Sequence, residues 1–444
     1  MAFETDSQTL KDLEIFKTTK NNKSLFDMLN FTSSIGGKNK LYNFLESPLD
    51  DLEKIKERNE AIAFFQFSGS AKELQIDKNS LDFIEYYFNY GNYPTRLPSK
   101  FSAIEKGLLY KLKPNGEYYI IERGIDYVIE LLNSLYKFSR YLAKFDCPAL
   151  IHRNNEEIFR IFSLEEYKQV LEIKSMEKIG MYQIARFDYM FRYTHKTQIL
   201  FFLNLIYEYD IFIAVAKAAE KYKFSYPKLL QEKKGIHIEE LFHPFVDSPV
   251  KNDIDYIPEK NLLFISGPNM AGKSTLMKAL GISVYLAHTG FPVPAGKMSF
   301  NPLSGLYTTI NISDSLNSGF SHFYSEVLRI KDIANKLKCN NMLVIFDELF
   351  RGTNVKDAYD GTLAVISAFT EVCNSYFAVS THIVEVADDL KCFSNIQFRY
   401  MEIVKQGKQS QYTYHLKEGV SEDRLGMYIL KQERLIETIK KINN

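Results

Sequence analysis

Residues 267–274 read Gly-Pro-Asn-Met-Ala-Gly-Lys-Ser, and they directly follow the apolar run at 261–266, Asn-Leu-Leu-Phe-Ile-Ser. The run reads as a buried strand, and a glycine-rich loop between a strand and a helix is the setting of a phosphate-binding loop. Gly267 and Gly272 let the backbone turn so that its N–H groups face an anion, to which the following helix also offers its positive end. Lys273 adds a charge for the β- and γ-phosphates, and Ser274 offers a hydroxyl to Mg²⁺. A chance glycine-rich turn is the bland alternative. The loop therefore predicts an α/β fold that binds a nucleoside triphosphate.

Two further apolar runs agree with it. Met342 to Phe346 is short and β-branched enough for a strand, and it delivers Asp347 and Glu348 at its end. Asp347 is the candidate Mg²⁺ ligand, and Glu348 is placed to orient and deprotonate a water that attacks the γ-phosphate. The bland alternative is two acidic residues capping the next helix. Tyr376 to Val379 ends in Ser380-Thr381-His382 at the carboxyl edge of the same sheet, which makes His382 a candidate γ-phosphate sensor.

With these motifs in place, the segment Ser266 to Thr275 resembles the nucleotide loop of the MutS family of DNA mismatch repair ATPases. Asp347 to Thr353 is similar to that family's Walker B strand and following loop, and Ser380-Thr381-His382 to its switch histidine. His243-Pro244, Asn252-Asp253 and the 291–295 stretch Phe-Pro-Val-Pro-Ala fall in the family's order. The resemblance implies an ABC-type ATPase that holds ATP through Gly267, Pro268, Asn269, Met270, Ala271, Gly272, Lys273, Ser274 and Thr275, with Mg²⁺ on Ser274 and Asp347. It implies catalytic roles for Glu348, His382 and Lys273. Gly319 to Glu326 resembles the family's signature segment, which reaches the γ-phosphate held by the other subunit, so Ser321 is expected to act in trans across a homodimer. Without the family, Ser321 and Glu326 read as a capped helix start. Val250 stands where many relatives carry an adenine-stacking aromatic, and Tyr414 is the candidate to supply that ring.

Upstream, Thr9 to Ile15, Ser24 to Thr32 and 45–49 resemble the opening of the family's helical core, and Tyr209 to Ala216 its end. Residues 6 to about 224 carry helical periodicity, as in Leu41, Phe44 and Leu45 or in Val128, Leu131, Leu132 and Leu135. From Gly235 the texture changes to short apolar runs separated by Gly, Pro and Asn. The expectation is a helical lever or core domain over 1–235, then a P-loop ATPase domain over 236–444. Ile396 to Val404 and Gln411 to Leu416 should form a hairpin extending the sheet, followed by a short C-terminal helical segment resembling the family's dimerisation element.

Composition bounds the setting. The chain has 444 residues, of which 45% are hydrophobic, enough for two or three cores. Its four cysteines show no metal or disulfide spacing, which fits a reducing cytoplasm. The start of the chain has no signal-peptide pattern, and the most apolar stretch, Ile199 to Ala219, is interrupted by Asn204, Glu208 and Asp210, so no membrane span is expected. With 55 basic and 55 acidic residues there is no overall positive field, and any DNA contact must be local. The basic stretch Lys217 to Lys234, interleaved with Tyr222, Phe224 and Tyr226, could serve phosphates and stacking, but a solvated helix end is the preferred reading.

The departures from the family fall on the DNA side. No N-terminal mismatch-reading domain with its Phe-x-Glu wedge is visible, and the stretch from about Tyr127 to Thr197 is short for long levers carrying a DNA clamp. The expectation is an ATP-gated dimer of DNA repair or recombination type with no mismatch preference. The alternative is an ATP-driven switch acting on a protein partner without DNA contact.

Overall fold

The computed structural model describes residues 3–17, 23–74, 77–91, 94–112, 116–173, 179–230, 235–310, 322–338, 340–350, 353–406 and 409–421. The chain forms two compact units: Phe26–Glu46 with Glu57–Lys221, and Met1–Leu25 with Ser47–Lys56 and Tyr222–Asn444.

The first unit is helical, with helices that include Ile35–Glu46, Lys78–Asn89, Lys100–Leu112, Gly116–Leu142, Ala149–Phe162 and Met181–Tyr189. Val128, Leu131, Leu132 and Leu135 all turn inward, as their spacing requires. Rings fill the centre, where Phe65 lies 5.5 Å from Tyr209 and 6.4 Å from Phe138. The helix Lys196–Tyr222 is long and apolar enough to cross a bilayer, but 78% of its most apolar window is buried within the fold. Asp210 explains why this is a core helix. Its carboxylate accepts from Ser33 N (2.9 Å), Ser34 N (2.9 Å) and Ser34 Oγ (2.7 Å), and so holds Ser34, whose Oγ accepts from Gly37 N at 2.9 Å to cap the helix Ile35–Glu46.

A second buried acid is paired as fully. Asp188 accepts from Arg192 Nε at 2.6 Å, Arg192 Nη2 at 2.7 Å and Tyr87 Oη at 2.7 Å, while Arg192 Nη1 donates to Tyr90 O at 2.9 Å. This network joins the helix Lys78–Asn89 to the π-helical turn Met190–Thr194.

The second unit is α/β. Its strands are β1 (Lys228–Leu229), β2 (Ile236–Leu241), β3 (Asn252–Tyr256), β4 (Leu262–Ser266), β5 (Lys297–Phe300), β6 (Gly305–Thr309), β7 (Met342–Asp347), β8 (Tyr376–Thr381), β9 (Ile396–Gln406) and β10 (Gln409–Glu418). They form a four-stranded sheet, β1-β5-β2-β3, and a six-stranded sheet, β10-β9-β4-β8-β7-β6. Strands β4, β6, β7 and β8 are buried along their whole length. Both faces are therefore covered by packed elements, which is why β4, β7 and β8 read as apolar runs, and all four strands pair in parallel. β9 and β10 form the expected hairpin at one edge, antiparallel, with a register shift between Tyr412 and Leu416.

Residues 1–25 and 47–56 group with the α/β unit. The reason is local. Leu13 and Ile15 are fully buried, and Glu4 N donates to Ser304 O at 2.7 Å while Leu306 N donates to Glu4 O at 2.9 Å, so the N-terminal segment covers the exposed edge of β6. The C-terminal helical segment expected beyond Ser421 lies outside the described residues.

Candidate functional site

Site residues collect at the carboxyl ends of β4, β7 and β8, which are adjacent in the sheet order. That is the position where open α/β sheets receive ligands. β4 ends at Ser266, and the helix Lys273–His288 begins after the intervening loop. Gly267 (φ 140°) and Gly272 (φ 100°) occupy left-handed backbone that other residues adopt only with strain, which accounts for both glycines. Met270 accepts the same strain at φ 70° and is largely exposed at the loop tip.

Lys273 is 4% exposed, and its ammonium donates to Gly267 O at 2.7 Å and Pro268 O at 3.1 Å. Its Nζ also lies 3.7 Å from Glu348 Oε1. The Asp347 carboxylate at the end of β7 accepts from Ser380 Oγ on the neighbouring β8. Directly after it, Glu348 sits at φ 55°, held by backbone donation from its N to Ser380 O at 3.1 Å. That turn sends two consecutive carboxylates in different directions, and His382 Nδ1 comes within 3.9 Å of Glu348 Oε2.

The loop opens onto a cavity of about 670 Å³. Pro268, Asn269, Met270, Gly272, Lys273, Ser274, Thr275, Glu348 and Tyr414 line it, as do His243, Val250 and Asn252. Tyr414 occupies the register shift of β10 at φ 60°, and its Cδ1 lies 3.1 Å from where a β-carbon on Gly272 would stand. Asn252 fixes this geometry, because its Nδ2 donates to Tyr414 O at 3.0 Å and its Oδ1 accepts from Leu416 N at 2.7 Å. Burial, with Lys278 adding to it, holds the His243 imidazole down at about 4, so the cavity wall there is neutral.

The structure thus brings together most residues singled out in the sequence. Ala271 is buried in the loop and does not line the cavity. Asp347 and His382 flank Glu348 and also stand outside the lining. Ser321 lies outside the described residues. The helix His322–Leu337 that follows it carries Glu326, which is buried. Of the basic stretch, Phe224 is core material packed 6.1 Å from Phe242, so its aromatics form no exposed row; Lys233 and Lys234 are not among the described residues. Sequence reasoning passed over Ser380 as the partner of Asp347 and Asn252 as the anchor of Tyr414. The pairing of β7 with β8 reveals the first, and the packing of β3 beside β10 the second.

A cavity with an ammonium and a carboxylate at a strain-bearing glycine loop, and an aromatic ring beside it, suits a phosphorylated ligand with a planar base. Comparison with known proteins agrees. Residues 263–442 match the family model for MutS domain V, and residues 8–89 match that for MutS domain III. The chain is 25% identical to the DNA mismatch repair protein MutS of Petrotoga mobilis over 96% of its own length and 62% of that protein's. It is 28% identical to the DNA mismatch repair protein Msh3 of Dictyostelium discoideum over 78% of its own length and 26% of that protein's. The chain therefore spans less than two thirds of either relative.

Proposed function

Because the chain belongs to the MutS family, we propose that it binds ATP with Mg²⁺ at the 267–275 loop and hydrolyses it as a homodimer acting on DNA. In this reading the loop N–H groups and Lys273 hold the phosphates, Ser274 and Asp347 hold the metal ion, and Tyr414 stacks on the base. When bound, Mg²⁺ would neutralise charge that develops on the phosphate oxygens. Glu348 orients the attacking water and accepts its proton, and His382 senses the γ-phosphate. The observation that carries the reading is the convergence of Lys273, Glu348 and the glycine loop on one cavity at parallel strand ends.

Ser321 is assigned to the partner subunit's nucleotide on the resemblance of its segment alone. DNA is the proposed partner because both relatives carry DNA mismatch repair in their names. The binding is expected to be driven by phosphate contacts, steep in salt and without preference for a mispair.

The test separates binding from turnover. Lys273→Ala should abolish nucleotide binding, whereas Glu348→Ala should bind ATP as the parent does and lose at least about a hundredfold in kcat. Parental turnover in Glu348→Ala would remove that residue from the reaction.

A further inference from the structure

Tyr414 reaches the cavity at a cost. Its backbone is left-handed at φ 60°, inside the stretch of β10 where the register with β9 shifts between Tyr412 and Leu416. A tyrosine in that conformation is strained, and such strain persists only where the surroundings over-determine it. Three side chains do so. Asn252, at the start of β3 and 9% exposed, donates from Nδ2 to Tyr414 O at 3.0 Å and accepts at Oδ1 from Leu416 N at 2.7 Å. One planar amide thus holds the backbone on both sides of His415. Thr413 Oγ1 donates to Glu402 O at 3.1 Å and accepts from His415 N at 3.3 Å, while the Tyr412 ring stacks on that of Tyr414 with centroids 6.2 Å apart.

The other side of the Tyr414 ring is fixed by the glycine loop. Its Cδ1 and the Cε of Met401 stand 3.1 and 3.4 Å from where a β-carbon on Gly272 would be, so the ring leans on the residue that precedes Lys273. Asn252 comes from the four-stranded sheet and Tyr414 from the six-stranded one, and both line the cavity. The Asn252 amide is therefore a tie between two walls of the same cavity, and the ring it holds is beside the loop without being part of it.

We infer that Asn252 makes this site select a nucleotide over a bare polyphosphate: its amide holds Tyr414 in left-handed backbone, where the ring presents a face to a planar base, while Lys273 and the loop meet the phosphates without its help. This rests on the proposed stacking of Tyr414 on the base. Asn252 acts through Tyr414 and is a positioning residue. A base contact is made alike before and during phosphoryl transfer, so Asn252 should govern affinity and leave kcat alone.

The experiment uses the full chain and measures Kd for ATP and for inorganic triphosphate, each with Mg²⁺, together with kcat at saturating ATP. The variants are Tyr414→Ala, Asn252→Ala, Asn252→Ser and the Asn252→Ala/Tyr414→Ala double. Asn252→Ala should weaken ATP binding about three- to fivefold, close to the effect of Tyr414→Ala. Its Kd for inorganic triphosphate and its kcat should stay within about twofold of the parent. Serine is too short to bridge Tyr414 and Leu416, so Asn252→Ser should weaken ATP binding in the same way; its hydroxyl can still meet a freed backbone N–H, which covers the case in which Asn252→Ala does not fold. The double variant should bind ATP no more weakly than Tyr414→Ala alone, because the amide has nothing to position once the ring is gone. Parental ATP affinity in the Asn252 variants while Tyr414→Ala loses it, equal losses for ATP and inorganic triphosphate, or additive losses in the double would each overturn the inference. Unchanged ATP affinity in Tyr414→Ala would instead overturn the stacking on which it depends.

Discussion

Both units bury charge, and they use it differently. In the helical unit Asp188, Arg192 and Asp210 are tied to partners that the fold itself supplies, across helices far apart in sequence. In the α/β unit Lys273 is as buried as Arg192, yet it and Glu348 line a cavity, and Lys273 rests on the carbonyls of its own loop. Charges of the first kind hold helices in register, since removing either partner strands the other in a poorly solvating interior. Charges of the second kind are gathered where a ligand can meet them. Burial alone therefore does not mark a functional charge; what distinguishes it is whether the neighbours belong to a scaffold or to a cavity.

The largest test of this contrast is Arg192→Ala, which should cost about 3–5 kcal/mol of stability by leaving Asp188 buried without its cation. Nucleotide affinity of the folded fraction should not change. Denaturant unfolding compared with Lys273→Ala is the check, and equal destabilisation by the two would break the distinction.

A smaller effect concerns pH. His288 is fully buried, its Nε2 accepts from Leu303 N at 2.8 Å, and burial holds its imidazole down at about 4. It is neutral in the folded protein, while the unfolded chain takes up a proton near its ordinary value of about 6.5. Stability from this residue is therefore complete above about pH 6.5 and falls as the pH drops towards 4, by roughly 2–3 kcal/mol at pH 4.5. Unfolding free energies of the parent and of His288→Gln across that window should diverge by this amount; parallel curves would contradict it.

Smallest is Tyr414→Ala, which removes the ring beside the loop. It should weaken ATP binding about fivefold, or about 1 kcal/mol, without altering the pH profile of turnover. Unchanged affinity would show that the base lies elsewhere in the cavity.

Much of the α/β unit was legible because strands buried on both faces are apolar throughout, so β4, β7 and β8 announce both themselves and the residues at their ends. The glycines at 267 and 272 were equally plain, since backbone strain selects them. Pairings made only in three dimensions were not legible. Asp6 and Thr9 mark a helix start, but a short helix with one apolar face reads the same whichever surface receives it. The spacing of Asp188 and Arg192 suits an ordinary helix-surface pair, and their burial depends on Tyr87 a hundred residues away. Tyr414 could be named as a ring, but its position depends on a register shift that no residue pattern announces.

The grip of residues 3–15 on β6 closes a loop spanning most of the polypeptide, and this sets an order of synthesis. A ribosome releases residues 26–221 before β4, β6 or β7 exists, so the helical unit has all of its own sequence available early. Residues 3–15 must wait for partners that emerge some 300 positions later. Until then Leu13 and Ile15 have no sheet to cover, and the slow, high-contact-order step in folding is the docking of residues 3–15 onto strands made far later in the chain.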